Sequence, residues 1–145
     1  MDPTQWSGSA VPSRDPGRPS DHLSGARRRA PGTAAVDPAP LDRLALDLGG
    51  ADAAAEVLSD YLDLLPERLA ATRTLVAADE RRRLVHTLKS GARLLGGHAL
   101  AELAEGMEHA ASQGLAWTPR QLSALEQAAA DATDEWARWR SSVAQ

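Results

Sequence analysis

The 145-residue sequence contains no cysteine and no phenylalanine, and it has only one lysine beside fifteen arginines. Without cysteine, the chain can form no disulfide, thiolate metal site, iron–sulfur cluster or cysteine nucleophile. No run of eighteen apolar residues could span a bilayer, and the first residues lack the apolar core of a secretory signal. We therefore expect a soluble cytoplasmic protein with no membrane partner.

Charge and length narrow the class further. Sixteen basic residues stand against twenty acidic ones, which gives a net charge of -4. This balance disfavours a protein that binds nucleic acid by neutralising phosphates, so we expect no nucleic-acid partner. The length corresponds to one domain with a single hydrophobic core.

Prolines divide the sequence into two parts. Seven of the nine prolines fall in the first 40 residues, where apolar side chains larger than alanine are scarce. Such a stretch buries too little surface to offset the entropy of ordering. We therefore predict a disordered tail over residues 1–40, rich in proline, glycine and arginine, and a folded domain over residues 41–145. Removal of residues 1–38 should leave the melting temperature unchanged.

From Leu41 onward, alanine, leucine, glutamate and arginine dominate, which favours helices. The last helix has the clearest start, because Thr118 and Gln121 form a capping-box pattern around Pro119. Asp79 is in position to cap the third helix, and Pro66 should bend or break the second. Predicted helices before the last one cover residues 42–48, 52–77, 80–95 and 98–111.

These elements predict an all-α fold. Long helices joined by short loops favour an antiparallel four-helix bundle, here with a short lead helix at its N-terminal side and the disordered tail before it.

The segment 81–95 has two different faces on a helical wheel. One face, predicted to lie in the core, carries Leu84, Leu88, Gly91, Ala92 and Leu95, and the opposite face carries Arg82, His86, Lys89, Ser90 and Arg93. Cations around an exposed imidazole favour its neutral, nucleophilic form and can hold phosphoryl oxygens. A merely solvated basic face is the alternative interpretation.

The stretch His86-Thr87-Leu88-Lys89-Ser90-Gly91, followed by Leu95-Gly96 and by Leu103, Met107 and Glu108, resembles the histidine phosphotransfer (HPt) family of bacterial phosphorelays. The resemblance covers residues 41–145. It implies that His86 is the phospho-acceptor and that Lys89 stabilises the phosphoryl group.

The resemblance also implies partners. His86 would exchange a phosphoryl group with receiver-domain aspartates of response regulators or hybrid histidine kinases, with Arg82, Ser90 and Arg93 in the contact surface. We expect a monomeric carrier without autonomous catalysis and without a cofactor of its own, because the receiver would supply Mg²⁺ and most catalytic groups.

One position departs from the family pattern. The family commonly has glycine four residues after the histidine and serine next, whereas this sequence has Ser90 and then Gly91. We expect Ser90 to reduce the clearance for some partners, and Gly91 to allow close packing against the second long helix.

Two other functions fit parts of the sequence. A helical adaptor could bind a receiver or kinase domain without accepting phosphate, and it would not need His86. A metal-binding bundle could use His98 with Glu102, or Glu105 with His109, although di-iron bundles space glutamate and histidine three apart on two helices.

Overall fold

A computed structural model describes residues 34–144, and this part of the chain is helical without strands. Its helices are α1 (Pro38–Leu48), α2 (Ala51–Ala71), α3 (Ala78–Leu94), α4 (His98–Ser112) and α5 (Pro119–Val143). The predicted all-α bundle with a short lead helix is confirmed. None of the helices described has the length and apolar character needed to cross a bilayer.

The folded unit begins earlier than predicted. Ala35 and Val36 are only 4% and 6% exposed, and their backbone N–H groups donate to the two carboxylate oxygens of Glu135 at 2.9 and 2.8 Å. Asp37 caps α1 by accepting from the N–H of Ala39. The boundary at residue 41 was therefore placed too late, because a proline in the first turn of a helix is compatible with order. Residues 1–33 of the predicted tail lie outside the described residues.

Helix α2 is shorter than predicted. It continues through Pro66 without a break and ends at Ala71 instead of residue 77. Two threonines close its end, since the hydroxyl of Thr72 donates to the carbonyl of Leu69 and that of Thr74 to Ala71. The same two carbonyls also accept backbone bonds, from the N–H of Thr72 at 3.2 Å and from that of Leu75 at 3.0 Å, so the hydroxyls add to the bonds of the last turn.

The two predicted helix starts have different outcomes. The capping box of α5 is confirmed: Thr118 Oγ1 accepts from the N–H of Gln121 at 3.0 Å, and Gln121 Oε1 accepts from the N–H of Thr118 at 2.8 Å. The capping role of Asp79 is wrong, because α3 begins after Ala77 with no side-chain cap. Asp79 lies in the first turn, where its charge favours the helix dipole.

Two aromatic residues connect the helices in the core. The hydroxyl of Tyr61, on α2, donates to the carbonyl of Leu88 at 3.0 Å, and the indole of Trp136, on α5, donates to that of Leu95 at 2.9 Å. Their rings meet edge to face with centroids 5.5 Å apart. The polar atom of each of these two side chains is thus satisfied by a carbonyl of α3 or of the link that follows it.

Helices α3 and α4 form a tight hairpin. The link of residues 95–97 turns at Gly96, whose φ of +86° favours glycine. A Cβ at Gly96 would also lie 2.0 Å from the carbonyl oxygen of Asp37, so the segment before α1 closes on this turn. The hairpin places the middle of α3 beside the second half of α4, and this neighbourhood contains the candidate site.

Candidate functional site

The buried side of α3 is rotated slightly from the predicted wheel. Val85, Leu88 and Ala92 are fully buried, whereas Leu84 and Gly91 are half-buried. Val85 was not predicted to be in the core. The rotation leaves His86 facing solvent, as the wheel predicted, with its side chain 55% exposed.

Glu108 of α4 joins the two basic residues of α3 that the sequence singles out. One carboxylate oxygen lies 2.8 Å from Nδ1 of His86, and the other lies 2.5 Å from Nζ of Lys89. Lys89 and Glu108 are largely covered, with side chains 15% and 18% exposed. The exposed ring of His86 is thus held by a carboxylate that belongs to a partly buried ion pair.

The charge of Glu108 is held in place by its partners. The hydrogen bond from Lys89, and more weakly the one with His86, keep the pKa of Glu108 below its ordinary value despite partial burial. An ionised carboxylate only accepts hydrogen bonds, so Nδ1 of His86 must carry the hydrogen in this contact. In the neutral ring the lone pair then lies on Nε2.

The other residues predicted for this face differ in their exposure and partners. Arg82 is half-buried and Ser90 is exposed. Arg93 pairs with Glu105 of α4 at 2.5 Å, and both side chains are about half exposed, 49% and 56%. The sequence predicted a ring surrounded by cations. The structure instead places a carboxylate on it and pairs Lys89 and Arg93 with carboxylates of α4.

Two of the four residues proposed for a metal site have other partners. His98 Nε2 lies 3.5 Å from a carboxylate oxygen of Asp37, and Glu105 is engaged by Arg93. Within residues 34–144, no group of three or more histidine, aspartate or glutamate side chains is arranged to hold a metal ion.

Glu108 is among the residues that carry the family resemblance, but sequence reasoning gave it no role. It lies 22 residues from His86, so no spacing on one helix could link the two. A weaker signal was present, since Glu102, Glu105 and Glu108 recur every three residues on α4. Such an acidic stripe fits the basic face of α3 once the two helices are paired as a hairpin.

Comparison with known proteins identifies the family. Neither the curated proteins nor the solved structures compared with the chain include a match. The family model described as the Hpt domain matches residues 56–136, a stretch that includes His86, Lys89 and Glu108 and spans more than half of the chain. The chain therefore belongs to the Hpt domain family, which serves histidine phosphotransfer in two-component signalling.

Proposed function

We propose that His86 is the phospho-acceptor and that the protein carries a phosphoryl group to and from receiver-domain aspartates of response regulators or hybrid histidine kinases. The observation that supports this most directly is the contact of Glu108 with Nδ1, which leaves Nε2 of an exposed ring as the free nucleophile. We expect this carrier to act as a monomer in the cytoplasm.

The transfer step balances with these groups. The lone pair of Nε2 attacks the phosphorus of a receiver aspartyl phosphate in line, the N–P bond forms, and the P–O bond to the aspartate breaks. The aspartate leaves as a carboxylate, and the hydrogen on Nδ1 stays in place. The phosphorylated ring is then cationic, and the carboxylate of Glu108 stabilises it.

Lys89 has two roles in this proposal. Its contact with Glu108 keeps the carboxylate ionised and in position. An ammonium group has three donors, so those not directed at Glu108 can hold a phosphoryl oxygen one helical turn from His86. Arg82, Ser90 and Arg93 belong to the same helix and are proposed to form, with His86, the centre of the contact with a receiver domain.

The carrier does not need to catalyse the reaction alone. Phosphoryl transfer depends mainly on positioned charge, and we expect the receiver domain to bring Mg²⁺ together with its aspartate. What this chain supplies is an oriented imidazole and the charges next to it.

The experiment is transfer from a panel of phosphorylated receiver domains to the wild-type protein and three variants. His86→Gln should abolish the label on this protein, which should be acid-labile in the wild type. Glu108→Gln should slow transfer by about tenfold, because an amide orients the ring without stabilising its positive charge. His109→Gln is the matched control, since His109 is exposed on α4 and its side chain has no hydrogen bond or ion pair with the ring in the described structure.

The variants also separate the adaptor function from the carrier function. If a receiver binds wild type and His86→Gln equally and labels neither, the protein is an adaptor and His86 is an ordinary surface residue. Label that persists in His86→Gln and disappears in His109→Gln would move the phospho-acceptor to another helix.

A further inference from the structure

A second site lies at the end of the bundle where the α2–α3 link and the α4–α5 link meet. There a pocket of about 340 Å³ opens to solvent, and we refer to it as the end pocket. Its wall combines apolar side chains with two arginines. The residues that matter for its chemistry are Arg73, Leu75, Val76, Arg81, Trp117 and Leu122.

Arg81 is the unusual member of this wall. It belongs to the first turn of α3 but is only 9% exposed. Its Nη1 donates to the carbonyl of Leu115 at 3.1 Å, and its guanidinium carbon lies 5.0 Å from the ring centroid of Trp117. Neither partner carries a negative charge, although the indole face attracts a cation.

The charge of Arg81 lacks a counterion in the part of the chain that the structure describes. Across residues 34–144, no carboxylate oxygen lies within 4.0 Å of its nitrogens. Removing a charge from water is costly unless an opposite charge compensates. Arg73, on the same wall, differs in this respect, because Glu126 accepts two hydrogen bonds from it at 2.7 and 2.8 Å.

The rest of the pocket favours an apolar group next to that charge. Leu75, Trp117 and Leu122 provide an apolar surface, and Trp117 has its own N–H satisfied by the carbonyl of Met107 at 2.8 Å. Val76 is 87% exposed at the rim, which is costly for a large apolar side chain in the free protein. A ligand in the pocket would cover part of this surface.

We propose that the end pocket binds a small organic carboxylate with an apolar body. The planar guanidinium of Arg81 has donors beyond the one given to Leu115, and a carboxylate accepts two of them side by side. A single negative charge matches the single unpaired cation, and the body packs against Trp117. The volume suits a ligand of about one aromatic ring, at the small end of ordinary ligand pockets.

The test is a titration of the full chain with benzoate. Binding is monitored through the indole N–H signal of Trp117 in ¹H–¹⁵N spectra. Benzamide has the same shape without charge, and acetate has the charged head without the ring. We expect benzoate to shift the signal in a saturable way, acetate to bind at least fivefold more weakly, and benzamide to leave the signal in place.

Two arginine variants place the binding at this pocket. Arg81→Gln should weaken the apparent affinity for benzoate at least tenfold, whereas Arg83→Gln, at an exposed position of the same helix, should change it less than twofold. Melting curves establish that both variants fold.

Several results would overturn the proposal. Equal shifts with benzoate and benzamide would show an apolar site without charge recognition, and no shift with benzoate would show no site. Unchanged affinity in Arg81→Gln would make Arg81 purely structural. If Arg81→Gln does not fold, the proposal is judged from the binding of benzoate and of benzamide to the wild type and to Leu122→Ala. The result is independent of phosphoryl transfer, because His86 does not line the pocket.

Discussion

A residue on another helix decides which nitrogen of His86 is engaged within the protein. Glu108 binds Nδ1 and leaves Nε2 toward solvent, and Lys89 keeps Glu108 ionised. His86 and Lys89 lie one turn apart in the sequence of one helix, and the resemblance to the HPt family gave them their expected roles. Glu108 could not be assigned a role, since its contact with them arises only when α3 and α4 pack.

The ionisation of Glu108 makes a prediction about stability and pH. Its pKa is lowered on folding, so its contribution is present above the ordinary glutamate value of 4.5 and is lost as pH falls through the folded-state pKa below that. Glu108→Gln should therefore lower the free energy of unfolding by about 1 kcal/mol at neutral pH, and the difference should shrink in acid. Urea unfolding across a pH series measures this.

Glu102→Gln is the control for this measurement, because Glu102 is exposed on the same helix. Glu102→Gln should change the free energy of unfolding only slightly, because no contact with Lys89 is lost. A Glu108→Gln deficit that stays constant down to the acid limit would contradict the assignment of the stability to the ionised carboxylate.

At the scale of helices, the approach of α2 to α3 depends on Gly91. A Cβ at this position would lie 2.3 Å from Cε1 of Tyr61, a ring that the hydrogen bond to Leu88 holds in the core. The sequence predicted this close packing from the place of Gly91 on the core side of the wheel. What it could not show was which α2 residue fills the space.

Gly91→Ala should destabilise the protein by about 1–3 kcal/mol, because the buried Tyr61 ring has to move or lose its hydrogen bond. Gly106→Ala is a matched control on α4, where a new Cβ would meet nothing within 4 Å. That variant should be neutral or more stable by up to about 1 kcal/mol, since alanine favours helix over glycine. Thermal unfolding of both decides, and equal effects would mean that the Tyr61 contact is unimportant.

Helix boundaries show where local patterns were enough. The start of α5 followed from Thr118, Pro119 and Gln121, because a capping box uses neighbours in sequence. The predicted end of α2 was wrong because Leu75 and Val76 continue the apolar spacing of the helix. The helix ends at Ala71 instead, hydroxyl groups of Thr72 and Thr74 bind carbonyls of its last turn, and Val76 is exposed.

For the whole molecule, the segment before α1 belongs to the core. Ala35 and Val36 are buried and bound by Glu135, and the N–H of Asp37 donates to the carbonyl of Gly96 at 2.8 Å. These contacts join the start of the folded unit to α5 and to the α3–α4 turn. The segment thus fastens the hairpin that carries His86.

A chain that begins at residue 34 should therefore be more stable than one that begins at residue 39, which replaces the sequence-based expectation that removal of residues 1–38 leaves the melting temperature unchanged. We expect the free energy of unfolding to differ by about 2 kcal/mol, because the shorter chain loses both the buried Val36 and the cap on α1. Guanidinium unfolding of the two chains measures it, and Glu135→Gln in the longer chain should reproduce part of the loss. If the two chains were equally stable, residue 41 would be an adequate start of the folded domain.

The sequence by itself determined the helical class, the capping box of α5 and the exposed position of His86 one turn from Lys89, because each depends on residues within a few turns of one helix. Only the tertiary structure decided the Glu108 contact, the start of the core at Ala35 and the burial of Arg81. Those features depend on which distant residues the packed helices bring together, and composition or periodicity along one segment contains no information about that.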